Sequence, residues 1–225
     1  MSAPSNSKYK VLCIHGYRQN AKIFREKMGA FRKIMKSQAE FVFITAPNDV
    51  TEILPNCENA ESATAENDSN RGWWFSTREK SYRAQDFTDI DDGFITSVDV
   101  IRAAFREHGP FDGVLGFSQG ASMVSILCGM REQGDPDIQF KFAVLVAGYK
   151  SRSGCHDTFY TKPISVPSLH VFGDTDQVIP KEMSIDLQKY FLDPKTIEHP
   201  GGHFIPATGQ HKPTYRTFIE SISRS

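Results

Sequence analysis

The chain has 225 residues, of which 39% are apolar and 24% charged, and its formal net charge is −1. That length fits one α/β domain over residues 1–225 better than two, with composition enough for a real core. A charge so near zero gives no general field for nucleic acid or an anionic membrane, and no apolar run approaches the roughly 20 residues of a membrane span.

In chain order, the polar start Met1 to Lys10 holds no apolar stretch of the kind a secretory signal needs. Lys10 to Ile14 is a short apolar run closed by His15-Gly16 and reads as a buried strand ending at a loop. Between Ala21 and Lys36, Phe24, Met28, Phe31 and Met35 recur at helical steps, which predicts one amphipathic helix. Phe41 to Ile44 is a second buried strand, so a right-handed parallel crossover is expected. Asp49 to Arg71 is polar and without period, and it opens a lid-like insertion spanning about 49–82. Within it Arg71-Gly72-Trp73-Trp74-Phe75 holds both tryptophans, and these rings either pack the insertion on the core or line an apolar substrate pocket. Trp73, Trp74 and Phe75 are therefore candidate pocket residues.

Phe94, Val98, Ile101 and Phe105 mark a helix over about 88–107, with Asp89, Asp91 and Asp92 expected in its first turns, where carboxylates favour the dipole. The aspartate spacing does not match a calcium loop. Phe111 to Phe117 is a strand, Ala121 to Cys128 an apolar helix, Phe142 to Gly148 another strand, and Gly148 to Pro163 loop-like. Ser168 to Phe172 is a strand followed by Gly173-Asp174-Thr175-Asp176. Met183, Leu187, Tyr190 and Phe191 mark a helix, Thr196 to His199 a last strand, and Tyr215, Phe218, Ile219 and Ile222 a closing helix. Near-continuous apolar strands alternating with helices predict an α/β fold, a mostly parallel sheet of about six strands with helices on both faces.

Gly116-Phe117-Ser118-Gln119-Gly120 lies between a predicted strand and a predicted helix, the context of a nucleophile elbow. Ligands collect at the carboxyl ends of parallel strands, and Ser118, the Asp174/Asp176 pair and His203 all follow strands, in the order Ser, Asp, His. A serine hydroxyl needs a base to take its proton, and His203 on a Gly-Gly loop suits that role, with His199 and His211 as competitors. Asp176 is the preferred carboxylate to orient the imidazole, with Asp174 as the alternative serving the turn. An oxyanion hole needs two backbone N–H donors, for which Gln119 and Tyr17 are the candidates, while His15 braces the loop after the first strand. Neither a nucleotide-binding glycine pattern nor a metal-ligand cluster occurs, so no cofactor and no metal are expected. Cys13, Cys57, Cys128 and Cys155 are far apart; Cys13 and Cys128 fall in predicted elements and read as buried thiols of a reducing, cytoplasmic (or nuclear) setting. Asn67-Asp68-Ser69 matches a glycosylation acceptor but carries no meaning there.

Together, His15-Gly16-Tyr17-Arg18-Gln19-Asn20, Phe24-Arg25-Glu26-Lys27, Arg71-Gly72-Trp73-Trp74, Gly116 to Gly120, Phe172 to Asp176 and Gly201-Gly202-His203 resemble the FSH family of serine hydrolases, in particular its animal branch, the ovarian-cancer-associated esterases. The resemblance spans nearly the whole chain and is weakest over Asp49 to Asn70. It implies a small α/β-hydrolase with carboxylesterase activity on alkyl or acyl esters, and a triad at Ser118, Asp176 and His203. The expected partner is a small ester with an apolar acyl or alkyl chain, of medium to long length if the tryptophans line the pocket. A thioesterase or lysophospholipase on the same triad, and a hydrolase-fold binding protein without turnover, are the alternatives. Nothing in the sequence marks an oligomer interface.

Overall fold

The computed structural model describes residues 8–51 and 70–222. Its strands are β1 (Tyr9–Ile14), β2 (Ala39–Ile44), β3 (Asn48–Asp49), β4 (Arg71–Gly72), β5 (Gly113–Phe117), β6 (Phe142–Val146), β7 (Ser168–Gly173) and β8 (Lys195–His199). Its helices are α1 (Ala21–Lys27), α2 (Gly29–Met35), α3 (Phe94–His108), α4 (Gln119–Glu132), α5 (Lys181–Gln188) and α6 (Lys212–Ser221), with a 3-10 helix at Gly154–Tyr160.

Six strands form one sheet in the order β2-β1-β5-β6-β7-β8, every neighbouring pair parallel. The apolar runs are continuous because both faces are covered. Along β1, Leu12 and Ile14 join a core with α3, α4 and the two tryptophans, whereas Val11 and Cys13 join one with α1, α2 and α6. Only the edge strand β8 alternates, burying Ile197 and His199 and exposing Lys195 and Glu198, as an edge facing water should. The sheet order carries β5, β6 and β7 side by side, so the loops that leave their carboxyl ends share one rim.

Three local expectations change. The helix expected from Ala21 to Lys36 is two short ones, α1 and α2, broken at Met28, whose N–H still caps α1 through Phe24 and Glu26 carbonyls. The helix expected from about 88 begins at Phe94, after Gly93 in the left-handed region at φ 83°. Asp89, Asp91 and Asp92 thus lie before it and are spent on loop contacts: the Asp92 carbonyl accepts from Phe75 N–H, and Asp89 accepts from the Cys155 thiol. Finally, the loop-like stretch after Gly148 contains the 3-10 helix, with His156 and Tyr160 buried.

The insertion starts from a closed base. Asn48 pairs with Gly72 and Asp49 with Arg71 in an antiparallel ladder, reinforced by an Arg71–Asp49 ion pair at 2.8 Å. Residues 52–69, including Cys57 and Asn67 and most of the expected lid, lie outside the described residues.

Candidate active site

The turn between β5 and α4 places Ser118. Its backbone sits at φ 55°, ψ −120°, a conformation that L-residues avoid and that costs about 1–3 kcal/mol. Surrounding bonds hold it: Ser118 N–H donates to Val146 O at 2.9 Å, and its carbonyl accepts from Ala121 and Ser122. The following helix can pack this close to the sheet because position 120 is glycine. A Cβ there would stand 2.2 Å from the Ile14 carbonyl oxygen and 2.4 Å from that of His15.

The carboxyl ends of β7 and β8 bring the other two candidates together. A Cβ on Gly173 would meet the Gly201 carbonyl at 2.1 Å, so glycine allows the two loops to touch. Asp174 N–H then donates to His199 O at 2.8 Å and Thr175 N–H to Gly201 O at 3.2 Å. The result is a 2.7 Å hydrogen bond between His203 Nδ1 and Asp176 Oδ2. The other oxygen, Oδ1, accepts from the N–H groups of Val178 and Ile179, both at 2.9 Å. Burial works against ionisation of Asp176, but His203 and these two amides outweigh it and hold the carboxyl below its ordinary range. An ionised carboxylate can only accept, so Nδ1 of His203 is the donor in this bond, and in the neutral ring Nε2 is the nitrogen with the lone pair.

The competing residues are occupied elsewhere. Asp174 is exposed and pairs with Lys181 at 2.6 Å. His199 is buried and accepts from Gly201 N–H through Nδ1, and His211 bonds to Thr208. A second Ser, His, Asp grouping exists, with Ser151 Oγ 2.7 Å from His156 Nδ1 and His156 Nε2 3.4 Å from Asp91. Ser151 and His156 are sealed in the interior, 2% and 1% exposed, and neither lines the cavity beside Ser118.

The loop after β1 faces the elbow. His15 is fully buried, its Nε2 accepting from Ala46 N–H at 3.0 Å and its Nδ1 lying 2.7 Å from the Gly16 carbonyl. Burial, opposed by the Gly16 carbonyl, lowers its pKa to about 4, so it is a neutral brace. Arg18 N–H donates to Arg71 O and Arg71 N–H to Gln19 O, so β4 fixes the loop that carries Tyr17. Gln119 opens α4, where an N–H has no acceptor within the helix.

A cavity of about 750 Å³ adjoins Ser118 and His203. Its walls hold the rings of Tyr17, Phe24, Tyr82, Phe117 and Phe204, with Val178, Ile179 and Ile205. Phe117 packs against His203 with ring centres 4.6 Å apart. Trp73, Trp74 and Phe75 do not line it, which corrects the sequence-based assignment. They are 0%, 1% and 4% exposed and belong to the core behind the site. Trp73 Nε1 donates to the His15 carbonyl at 2.8 Å, and the Gln119 side chain bonds to both tryptophan backbones. Tryptophans placed this way set the positions of two loops. Sequence reasoning missed Phe24, Tyr82 and Phe204; Phe24 reads as ordinary helix core, and Tyr82 sits in a stretch without periodicity.

Residues 1–215 match the protein-family profile described as serine hydrolase (FSH1). The chain is 46% identical over 218 residues to the protein named Esterase OVCA2 of Danio rerio, covering 94% of this chain and 96% of that protein. Esterase OVCA2 of Xenopus tropicalis is 44% identical over 215 residues, covering 95% and 93%. Among solved structures, acyl-protein thioesterase 2 of Zea mays superposes with a TM-score of 0.60 at 16% identity over 97% of both chains. That likeness gives the fold, an α/β-hydrolase.

Proposed function

Because the chain belongs to the FSH1 family of serine hydrolases and is an esterase-class enzyme, we propose that it is a carboxylesterase that cleaves esters with an apolar acyl or alkyl chain through an acyl-enzyme. Ser118 is the nucleophile, His203 the general base and acid, and Asp176 the carboxylate that orients and charges the imidazole. The observation that carries this reading is the 2.7 Å bond from His203 to a buried Asp176, at the cavity where Ser118 is held in a strained turn.

The steps follow from the groups. Ser118 Oγ attacks the ester carbonyl while His203 Nε2 takes its proton, and the N–H groups of Gln119 and Tyr17 receive the developing oxyanion. The tetrahedral species collapses when the bond to the alkoxide breaks, with His203 returning the proton to the leaving alcohol. Water then attacks the acyl-Ser118 carbonyl, gives a proton to His203, and the acid departs as the proton returns to Ser118. Asp176 stabilises the imidazolium at each stage. Apolar walls made of Phe24, Phe117, Val178, Ile179 and Ile205 favour a hydrocarbon chain beside the reacting carbonyl.

A fluorophosphonate probe tests the nucleophile: wild type should be labelled, and Ser118→Ala should be neither labelled nor active while melting at the same temperature. Absence of wild-type labelling would instead favour a binding protein on the hydrolase fold. Comparison of 4-nitrophenyl acetate with the octanoate tests the cavity, and a clear preference for acetate would overturn the apolar-chain assignment. Thioester and lysophospholipid substrates, run alongside, distinguish which leaving group is favoured.

A further inference from the structure

The cavity beside Ser118 has a charge asymmetry that ester hydrolysis alone does not require. Lys27 and Arg83 stand in its wall, and among the described residues no aspartate or glutamate does. Asp176 is the nearby buried carboxylate, and it lies behind His203, bonded to the ring and two amides. Arg83 pairs with Asp86 at 3.8 Å, with the two side chains 70% and 58% exposed, a pairing that water largely screens. The described part of the wall therefore carries two cations and no carboxylate.

Each cation is carried on a segment that also supplies a ring to the cavity wall. On α1, Lys27 follows Phe24 by one helical turn and shares its face. Phe24 stacks on Phe117 at 6.1 Å, and Phe117 packs on His203, so a line of rings runs from α1 to the imidazole. Arg83 follows Tyr82, whose ring packs against Tyr17 at 5.3 Å and whose hydroxyl bonds to Tyr149. Arg83 N–H is itself fixed to Ser76 Oγ at 2.8 Å. The rest of the wall holds rings and aliphatic carbon from Phe24, Phe117, Phe204, Val178, Ile179 and Ile205, together with the uncharged Gln19 and Gln85.

We propose that the substrate is an ester with a fixed anionic group, held by Lys27 and Arg83 while hydrocarbon fills the cavity between that group and the scissile carbonyl. The proposal rests on Ser118 being the nucleophile. It makes Lys27 and Arg83 specificity residues, acting on binding rather than on bond cleavage.

Matched ester pairs test it. Mono-4-nitrophenyl suberate is compared with 4-nitrophenyl octanoate for a charge on the acyl side, and 4-carboxyphenyl octanoate with phenyl octanoate for a charge on the alcohol side. In at least one pair the charged ester should have kcat/KM about five- to tenfold higher at low ionic strength, and the gap should narrow as salt is added. The double variant Lys27→Met, Arg83→Met should bring that ratio to one, Lys27→Arg should keep it, and Lys27→Glu, which leaves Arg83 in place, should lower it toward one. Hydrolysis of the neutral esters with no advantage for either charged partner would overturn this inference alone. Failure to cleave any of the four, together with no probe labelling of Ser118, would overturn the reading on which it rests.

Discussion

Gln119 Oε1 accepts the Trp73 N–H at 3.0 Å while its Nε2 donates to the Trp74 carbonyl at 2.8 Å, so one amide side chain ties the nucleophile turn to the paired tryptophans. All three residues are buried. Gln119→Ala strands a donor and an acceptor away from water and should lower unfolding stability by about 2–4 kcal/mol. Gln119→Glu retains the acceptor but cannot donate to Trp74, so it should also destabilise. Urea denaturation reads both, and an unchanged midpoint in the alanine variant would show that the tryptophan backbones are held by other contacts.

Asp176→Asn should leave the fold in place and cut kcat by about 10³- to 10⁴-fold with little change in KM. The amide is uncharged and presents a donor to a ring nitrogen that itself carries the proton, so the imidazole is turned to the wrong tautomer. Steady-state hydrolysis of a 4-nitrophenyl ester measures this. A loss below tenfold would mean that another carboxylate orients His203.

Stability should fall with acid before the ordinary carboxylates titrate. Burial lowers His15 to about 4 and His170 to about 3; burial also lowers His156 to about 4, partly offset by Asp91. Each is depressed below its unfolded value, so between pH 6.5 and 4 the unfolded chain binds more protons. The slope is therefore positive: stability is lost as pH falls through that window, by at most about 1.4 kcal/mol per pH unit for each histidine. Unfolding free energies at pH 7, 6 and 5 check the sign, and His170→Leu should flatten the profile. A level profile in the wild type would contradict the buried neutral assignment.

Gly120→Ala drives a Cβ into two backbone oxygens of the strand-end loop, which cannot rotate aside as a side chain would. We expect a loss of about 3 kcal/mol or more, toward the upper end for overpacking, and a fall in probe labelling as α4 moves off β1. Thermal melting together with labelling yield separates the two effects. Wild-type values for both would show that α4 tolerates displacement.

The strands were legible because each is a short apolar run with a turn signal after it, and parallel pairing followed from their lack of alternation. The positions of Ser118, Asp176 and His203 just past strand ends were legible for the same reason, and Asp176 was preferred to Asp174 because Asp174 directly follows the strand-end glycine; the coordinates add that Asp176 is the one facing a ring from another loop. Trp73 and Trp74 misled for a physical reason: an aromatic pair beside a polar insertion fits a pocket wall or a core plug equally well, and only the bonds to Gln119 and His15 decide. The break at Met28 left no mark in the apolar spacing, which continues in phase across it. Gly93 marked the true start of α3, but the aspartates before it imitated a first turn.

The antiparallel pair formed by Asn48–Asp49 and Arg71–Gly72 makes residues far apart in sequence immediate neighbours. Whatever chain runs between them is a closed excursion from a fixed base, and its closure entropy rises by only about 0.6 kcal/mol for each doubling of length. The fold thus has a port at which sequence can be lengthened, shortened or exchanged while the ladder holds both ends. The base of that port is tied to the loop of Tyr17 by the bonds between Arg71 and residues 18 and 19.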